Sequence, residues 1–106
     1  MKIVIIGPGA MGCLYAFLLT RSGHEVWLLD YQEDRADFIR SQGLKIEGVS
    51  GQYHISFERI CTDAGIIGKA DLIIIFVKAY ATEATIKRAG SAIKSSTIIL
   101  TLQNGL

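Results

Sequence analysis

Three glycines near the start of the chain follow the spacing Gly7-x-Gly9-x-x-Gly12. They come directly after the apolar run at residues 3–6. In such a pattern the first glycine allows a sharp turn off a strand, and the second removes the Cβ that would block a phosphate. The third lets the following helix pack closely on the sheet, with its free N–H groups and positive dipole end toward the turn. The pattern therefore predicts the phosphate-binding turn of a dinucleotide-binding unit.

An acidic residue stands where the second strand of such a unit would end. The apolar run 26–29 is followed by Asp30, 18 positions after Gly12. This is close to the spacing of about 20 residues expected for the side chain that binds the adenosine ribose hydroxyls. An aspartate after a strand can also simply begin a turn. With the glycines upstream, the sequence favours the ribose-binding role for Asp30.

The order of apolar patterns predicts an α/β, three-layer Rossmann-type domain over residues 1–106, with a mostly parallel sheet. Strand and helix patterns alternate with short connections, as in right-handed βαβ units. Strands are predicted at 3–6, 26–29, 72–77 and 97–102, and helices after Gly9, over 32–42 and from about Thr82. The apolar stripe predicted for the first helix is Met11, Leu14, Tyr15, Leu18 and Leu19. Alternating segments at 44–47 and 53–58 predict a small antiparallel hairpin inserted around 44–58.

Composition and charge argue against several other classes of protein. The chain has 106 residues and a formal net charge of +1, without the basic patch of a nucleic-acid-binding protein or the polybasic run of a membrane-surface protein. Residues 3–20 carry no charge, but glycines and a proline interrupt them, so we expect neither a signal peptide nor a membrane span. Cys13 and Cys61 match no metal or redox motif and are expected to be small buried side chains. We expect a cytoplasmic protein without a metal site.

Two polar residues follow the later strands of the predicted sheet. Lys78 comes directly after the strand at 72–77, and Asn104 comes two residues after the strand at 97–102. Ligands of such sheets bind beyond the carboxyl ends of the strands, where the strand order reverses. Both residues are therefore expected at the same crevice as the glycine turn and Asp30. On the residues alone, a solvated strand-end lysine is the favoured interpretation of Lys78, and an ordinary Asn-Gly turn that of Asn104.

Together these features resemble the N-terminal domain of the ketopantoate reductase (2-dehydropantoate 2-reductase) family, over essentially the whole chain. The segments that carry the resemblance are Gly7-Pro8-Gly9-Ala10-Met11-Gly12, Ser22-Gly23-His24-Glu25-Val26, Gly43-Leu44, Ala70-Asp71-Leu72, Val77-Lys78-Ala79-Tyr80 and Leu102-Gln103-Asn104-Gly105-Leu106. The first two occur in many nucleotide-binding dehydrogenases. The last two, in this order, are much more specific.

The resemblance implies an enzyme that reduces ketopantoate to D-pantoate, toward pantothenate and coenzyme A, with hydride from a nicotinamide dinucleotide. It implies a pyrophosphate cradle made of Gly7, Pro8, Gly9, Ala10, Met11 and Gly12. It also implies that Lys78 lies beside the cofactor near the substrate pocket, and that Asn104 is a catalytic residue at the nicotinamide and the substrate. A possible homodimer is compatible with this. A reductase of another 2-keto acid that uses NAD, and a non-catalytic dinucleotide-sensing module, remain alternatives.

Two departures from the family pattern affect these expectations. Members that use NADPH, the family default, typically carry at the position of Tyr31 an arginine that pairs with the 2′-phosphate. Here Asp30 can accept a ribose hydrogen bond, worth roughly 1.5–3 kcal/mol, and would repel a 2′-phosphate. We therefore expect NAD(H) to be preferred by roughly 10-fold or more, unless Arg35 turns toward the phosphate.

The second departure is that family members are longer than this chain. Their helical C-terminal domain, which supplies the lysine general acid, is expected beyond residue 106 and is absent here. No residue of this chain can be assigned as the proton donor. The chain alone is therefore expected to bind cofactor without turning over substrate.

Overall fold

The computed structural model describes residues 1–7, 9–48, 51–76 and 82–102. The strands are β1 (Lys2–Ile6), β2 (Glu25–Leu29), β3 (Leu44–Gly48), β4 (Gly51–Ile55), β5 (Ile60–Cys61), β6 (Leu72–Ile75) and β7 (Ile98–Thr101). The helices are α1 (Ala10–Arg21), α2 (Glu33–Gln42) and α3 (Thr82–Arg88), with 3₁₀ turns at Ala64–Ile66 and Gly90–Ala92. Five strands form a parallel sheet in the order β5-β2-β1-β6-β7, while β3 and β4 form a separate antiparallel hairpin. The predicted parallel sheet with an inserted hairpin is confirmed.

Both faces of the central strand β1 are covered along residues 3–6, which explains why these four residues are all apolar and buried. Ile3 and Ile5 share a buried cluster with residues of α1 and α2. Val4 and Ile6 belong to a second cluster that includes both 3₁₀ turns. Successive side chains of a strand point to opposite faces, so a strand covered on both sides has no polar position. The three-layer arrangement is confirmed, and it places the glycine turn at the centre of the sheet's carboxyl edge.

The buried face of α1 differs from the prediction. Met11 and Leu18, two residues of the predicted apolar stripe, are 52% and 47% exposed, whereas Gly12 and Ala16 are buried. A Cβ placed on Gly12 would lie only 2.5 Å from the carbonyl oxygen of Gly7. The helix therefore approaches the sheet through its smallest residues. The prediction was wrong for Met11 and Leu18 because close helix–sheet packing here selects small side chains rather than large apolar ones.

A short parallel strand was missed in the middle of the chain. The hairpin prediction ran to residue 58, but β4 ends at Ile55 and residues 60–61 pair with β2 as β5. Two residues are too few to show a strand period in the sequence. The pairing continues one step further, because the backbone N–H of Asp30 donates to the carbonyl of Cys61 at 2.9 Å. The strand therefore holds the residue that follows β2.

The last described elements begin within one residue of where the sequence predicted them, but the predicted helix face extended to Ile93. α3 begins at Thr82 and ends at Arg88, and the turn after it is a separate 3₁₀ segment. β6 ends at Ile75, two residues before the predicted end. β7 is an edge strand in which Ile98, Ile99 and Leu100 are 63%, 38% and 43% exposed. Within the described residues, no helix is long and apolar enough to cross a membrane.

Candidate dinucleotide site

The glycine turn joins β1 to α1 and leaves the start of the helix uncapped by any side chain. Gly7 has a φ of 92°, a left-handed conformation that favours glycine. Gly9 is the N-cap residue, so no side chain of its own can satisfy the first N–H groups of α1, and the first turn contains no acidic residue. These N–H groups have no partner within the helix. The turn therefore presents donors and the positive end of the helix dipole, a combination suited to an anion.

Glycine is needed at the second and third positions of the motif for different structural reasons. A Cβ on Gly12 would collide with backbone, whereas a Cβ on Gly9 would meet no described atom within 4 Å. Gly12 is thus required by the fold itself. Gly9 borders open space at the start of α1, as expected where a ligand approaches the backbone. The residues present therefore fit a bound pyrophosphate.

A cavity of about 560 Å³ opens beside this turn, between α1 and β3. Its lining consists of Gly9, Met11, Cys13, Leu14, Lys45, Ile46 and Glu47. Its size falls within the range of small-molecule sites, roughly 300–1,000 Å³. The inserted hairpin, which the sequence predicted without a role, thus forms one wall of the space next to the glycine turn.

Asp30 lies directly after β2, where the sequence predicted it, but its carboxylate is already engaged. It is 2% exposed. Its Oδ1 accepts from the backbone N–H of Gln32 at 3.0 Å and from Nη2 of Arg35 at 2.9 Å. Its Oδ2 accepts from Nε of Arg35. A carboxylate can accept about four hydrogen bonds, so a ribose hydroxyl would have to use the remaining position or displace Arg35.

The pair between Asp30 and Arg35 also changes the charge at the end of β2. The bidentate contact raises the pKa of Arg35, chiefly because the guanidinium donates to the carboxylate. From the sequence, Arg35 was expected only as a possible partner for a phosphate. The spacing between a strand-end acid and the first turn of the next helix could have indicated this pair. The negative charge of Asp30 is therefore compensated within the chain.

Tyr31 connects the end of β2 to α3. Its hydroxyl donates to the carbonyl of Thr85 at 3.1 Å. The guanidinium carbon of Arg88 lies 3.5 Å from the centre of the Tyr31 ring, within the range of a cation–π interaction. Burial raises the pKa of Tyr31, and the positive charge of Arg88 acts in the opposite direction. Sequence reasoning missed this contact because the two residues are far apart in the chain and no local pattern links them.

The two cysteines occupy different positions relative to the site. Cys13 is half-buried in α1, and burial raises its pKa, while the charges of Arg35 and Asp30 have smaller effects of opposite sign. Cys61 is buried, and burial raises its pKa as well. Its expected character as a small buried side chain is confirmed, whereas Cys13 is only partly covered.

Trp27 belongs to the same strand as the candidate site. It is half-buried in β2, and its indole N–H donates to Oε2 of Glu25 at 2.9 Å. This hydrogen bond is the main reason why the pKa of Glu25 is lowered. The side chain thus has a defined orientation three residues before Asp30.

Several predicted site positions cannot be placed. Pro8, Lys78 and Asn104 lie outside the described residues. Gly7, Gly9 and Gly12 are brought to the carboxyl edge of β1, and Asp30 to that of β2. Over the described ranges, no cluster of three or more His, Cys, Asp or Glu residues could hold a metal ion.

The sheet, the glycine turn and the acid after β2 define the class of Rossmann-type α/β domains. The family described as Ketopantoate reductase PanE/ApbA matches the chain over residues 3–106. This chain belongs to that ketopantoate reductase family. The resemblance deduced from the motifs is confirmed.

Individual relatives agree with this assignment. The chain is 31% identical over its whole length to the 2-dehydropantoate 2-reductase of Halobacterium salinarum and 35% identical to that of Pyrococcus abyssi. It spans 35% and 34% of those proteins, about a third of the length of the curated relatives it matches.

Two solved structures are similar in fold and sequence. The 2-dehydropantoate 2-reductase of Geobacter metallireducens has a TM-score of 0.87 and 32% identity, with 100% of this chain and 35% of that one covered. A ternary structure of D-mandelate dehydrogenase with NADH and anilino(oxo)acetate has a TM-score of 0.88 and 34% identity, with coverage of 100% and 34%.

Proposed function

We propose that this chain binds the nicotinamide dinucleotide in a reductase that converts ketopantoate to D-pantoate. Membership of the ketopantoate reductase family and relatives named 2-dehydropantoate 2-reductase support this proposal. The observation that carries it is the open space beside Gly9, next to the unpaired N–H groups at the start of α1. A pyrophosphate is the part of a dinucleotide that such a turn would hold.

In this function the cofactor supplies the hydride, and the chain binds and orients it. The turn from Gly7 to Gly12 would hold the pyrophosphate, and Asp30 would hold the adenosine ribose. From the family resemblance we also propose Lys78 beside the cofactor near the substrate, and Asn104 at the nicotinamide. No residue of this chain is proposed as the proton donor, so the chain alone would bind cofactor without turnover.

We further propose that NAD(H) is preferred over NADP(H). A carboxylate after β2 can accept a hydrogen bond from a ribose hydroxyl but not from a dianionic 2′-phosphate. The similar D-mandelate dehydrogenase was solved with NADH, which supports the same direction. The expected preference is roughly 10-fold or more, although the ion pair of Arg35 with Asp30 offsets part of the negative charge that would repel the phosphate.

The proposal is tested by placing a methyl group where the pyrophosphate would lie. Gly9 has an extended backbone (φ −77°, ψ −168°) that any residue adopts, and its Cβ would meet no described atom. Gly9→Ala should therefore remain folded and lower the free energy of unfolding by only about 1 kcal/mol, the difference expected between glycine and alanine at an N-cap. It should weaken NADH binding at least about 10-fold, because the methyl group excludes the phosphate from the N–H groups.

The measurement is a fluorescence titration with NADH and NADPH at one ionic strength. Gly90→Ala is the matched control, since a Cβ there also meets no described atom but lies on a 3₁₀ turn remote from the motif. If Gly9→Ala binds NADH as tightly as the unchanged protein, the turn does not hold a pyrophosphate and the proposal fails.

A second candidate is an NAD-dependent reductase of another 2-keto acid. It is favoured by the 34% identity to D-mandelate dehydrogenase, which lies within the 31–35% identity to 2-dehydropantoate 2-reductases. Comparing reduction of ketopantoate with that of an aryl 2-keto acid by the complete protein separates the two. Cofactor binding with no reduction of either would favour the dinucleotide-sensing alternative. A cytoplasmic location stays a prediction from the sequence.

A further inference from the structure

Two guanidinium groups, from α2 and α3, lie beside the carboxylate and the tyrosine that follow β2. Arg35 forms the bidentate pair with Asp30. Arg88 reaches the next residue from α3, with its guanidinium carbon 3.5 Å from the centre of the Tyr31 ring. Among the described residues, no carboxylate forms an ion pair with Arg88, and its side chain is exposed. The two guanidinium groups and the carboxylate together carry one net positive charge, although the sequence places an acid followed by a neutral residue at the end of β2.

The two arginines are not equally available to a ligand. If Arg35 moved away from Asp30, the carboxylate, which is only 2% exposed, would be left as a buried charge without its ion-pair partner. Such an uncompensated buried charge costs stability. Arg88 has no ion-pair partner among the described residues, and its guanidinium carbon lies over the Tyr31 ring. A guanidinium carries five N–H donors, which can serve an anion beside the ring. Arg88 can thus donate to an anion while keeping its contact with Tyr31.

We propose that Arg88 is a specificity-determining residue that admits the 2′-phosphate of NADPH at the end of β2. This rests on the proposed dinucleotide site, in which Asp30 lies at the adenosine ribose. Tyr31 holds the guanidinium next to that position, and the hydroxyl bond to Thr85 fixes the ring one helical turn before Arg88. The cation thus comes from α3 rather than from β2. Arg88 would raise the affinity for NADPH and so reduce the preference for NAD(H) that Asp30 produces.

The test measures binding of both dinucleotides to variants of the protein. Arg88→Gln should raise the Kd for NADPH about 10- to 100-fold, the loss expected for charge-assisted hydrogen bonds to a phosphate. The Kd for NADH should change less than about two-fold, since NADH carries no group at that position. Arg88→Lys should restore part of the NADPH affinity, because a point charge remains without the planar fork. The melting temperature is followed for each variant.

A matched control comes from the opposite face of the sheet. Arg21, at the end of α1, also lies over aromatic rings, with its guanidinium carbon 5.4 Å from the centre of the Phe17 ring and 5.9 Å from that of Tyr53. Arg21→Gln removes the same charge and a similar contact, far from β2's end. It should change neither Kd.

A second readout isolates the phosphate from the rest of the cofactor. Adenosine 2′,5′-bisphosphate and adenosine 5′-monophosphate are used as competitors of NADH. The advantage of the bisphosphate should shrink in Arg88→Gln and with rising salt concentration, since screening weakens an exposed charge pair.

The possible outcomes separate the two proposals. Equal losses of NADH and NADPH affinity in Arg88→Gln would mean that Arg88 only supports Tyr31, and would overturn the assignment. Unchanged affinity for both would overturn it as well, while the dinucleotide site would stand. If the unchanged protein binds neither dinucleotide, the proposed function fails first, and the role of Arg88 fails with it.

Discussion

The central strand β1 and the edge strand β7 have similar sequences but very different surroundings. β1 and β7 are both mainly apolar, yet Ile5 is 0% exposed and Ile98 is 63% exposed. α1, α2 and the 3₁₀ turns cover β1 on both faces, whereas no residue of β7 belongs to a buried cluster among the described residues. An apolar run predicts a strand in both places, but burial depends on what packs against it. The end of β2, where we propose that the adenosine ribose binds, therefore lies beside the well-packed strand β1.

The largest effect is expected from truncating a central side chain. Ile5→Ala should lower the free energy of unfolding by about 2–5 kcal/mol, because a fully buried side chain leaves a cavity. Ile98→Ala, the same chemical change on β7, should cost less than about 1 kcal/mol. Urea unfolding of both variants checks this. Equal losses would show that β7 is as well packed as β1 in solution and would remove the contrast between them.

A smaller loss is expected where α1 approaches the sheet. Gly12→Ala should lower the free energy of unfolding by about 1–3 kcal/mol, the usual cost of overpacking, because its Cβ would lie 2.5 Å from the carbonyl oxygen of Gly7. Thermal unfolding compared with Gly90→Ala measures the difference. A Gly12→Ala variant as stable as the control would contradict the close contact between helix and sheet.

The segment before β7 is held by polar contacts of Thr97. Removing them should give the next smaller loss in the free energy of unfolding. The hydroxyl of Thr97 donates to the carbonyl of Ala70 at 2.6 Å and accepts from the backbone N–H of Lys94 at 2.9 Å. Thr97→Val keeps the shape and removes both bonds, so the loss should be about 0.5–1.5 kcal/mol. Urea unfolding gives the value. A neutral result would mean that water replaces the hydroxyl at no cost.

The smallest effect is a loss of stability at acid pH, caused by Asp71, which connects β1 to the segment before β7. Asp71 accepts from the backbone N–H of Lys2 at 2.7 Å and from Nζ of Lys94 at 3.0 Å. These bonds, the first above all, lower the pKa of Asp71 in the folded chain. Its contribution to stability is therefore present above the unfolded pKa, near 4, and is lost as the pH falls through the folded value.

Melting temperatures from pH 7 down to acid pH test this in Asp71→Asn. The variant should melt lower at neutral pH and approach the unchanged protein as the pH falls. Glu58→Gln, at an exposed position, serves as the control. A constant difference between Asp71→Asn and the unchanged protein at every pH would show that titration of Asp71 does not contribute.

Local patterns in the sequence were sufficient for the glycine turn and for four of the five strands of the parallel sheet. The spacing of Gly7, Gly9 and Gly12 directly predicts a tight turn between a strand and a helix. An apolar run of four or more residues predicts a buried strand. β5 was missed because two residues have no period. The buried face of α1 was misassigned because burial there follows the distance between helix and sheet, which no single side chain reveals.

The candidate site was predictable only in part, for a similar reason. Asp30 was placed correctly from its distance to the glycines. Its pairing with Arg35 changes the electrostatic argument built on it, and the contact of Tyr31 with Arg88 depends on how α3 docks. Such contacts between distant residues follow from the assembled fold. The sequence supplies the groups but not their partners.

Trp27 gives the molecule an optical reporter of its own. It is the only tryptophan of the chain, and it stands three residues before Asp30 on β2, roughly 10 Å along the strand. Indole emission overlaps the absorption of reduced nicotinamide. A reduced dinucleotide bound with its adenosine at the end of β2 would therefore quench this one emitter by energy transfer to its nicotinamide. A single light signal would then report occupancy of the site without a label or a turnover assay.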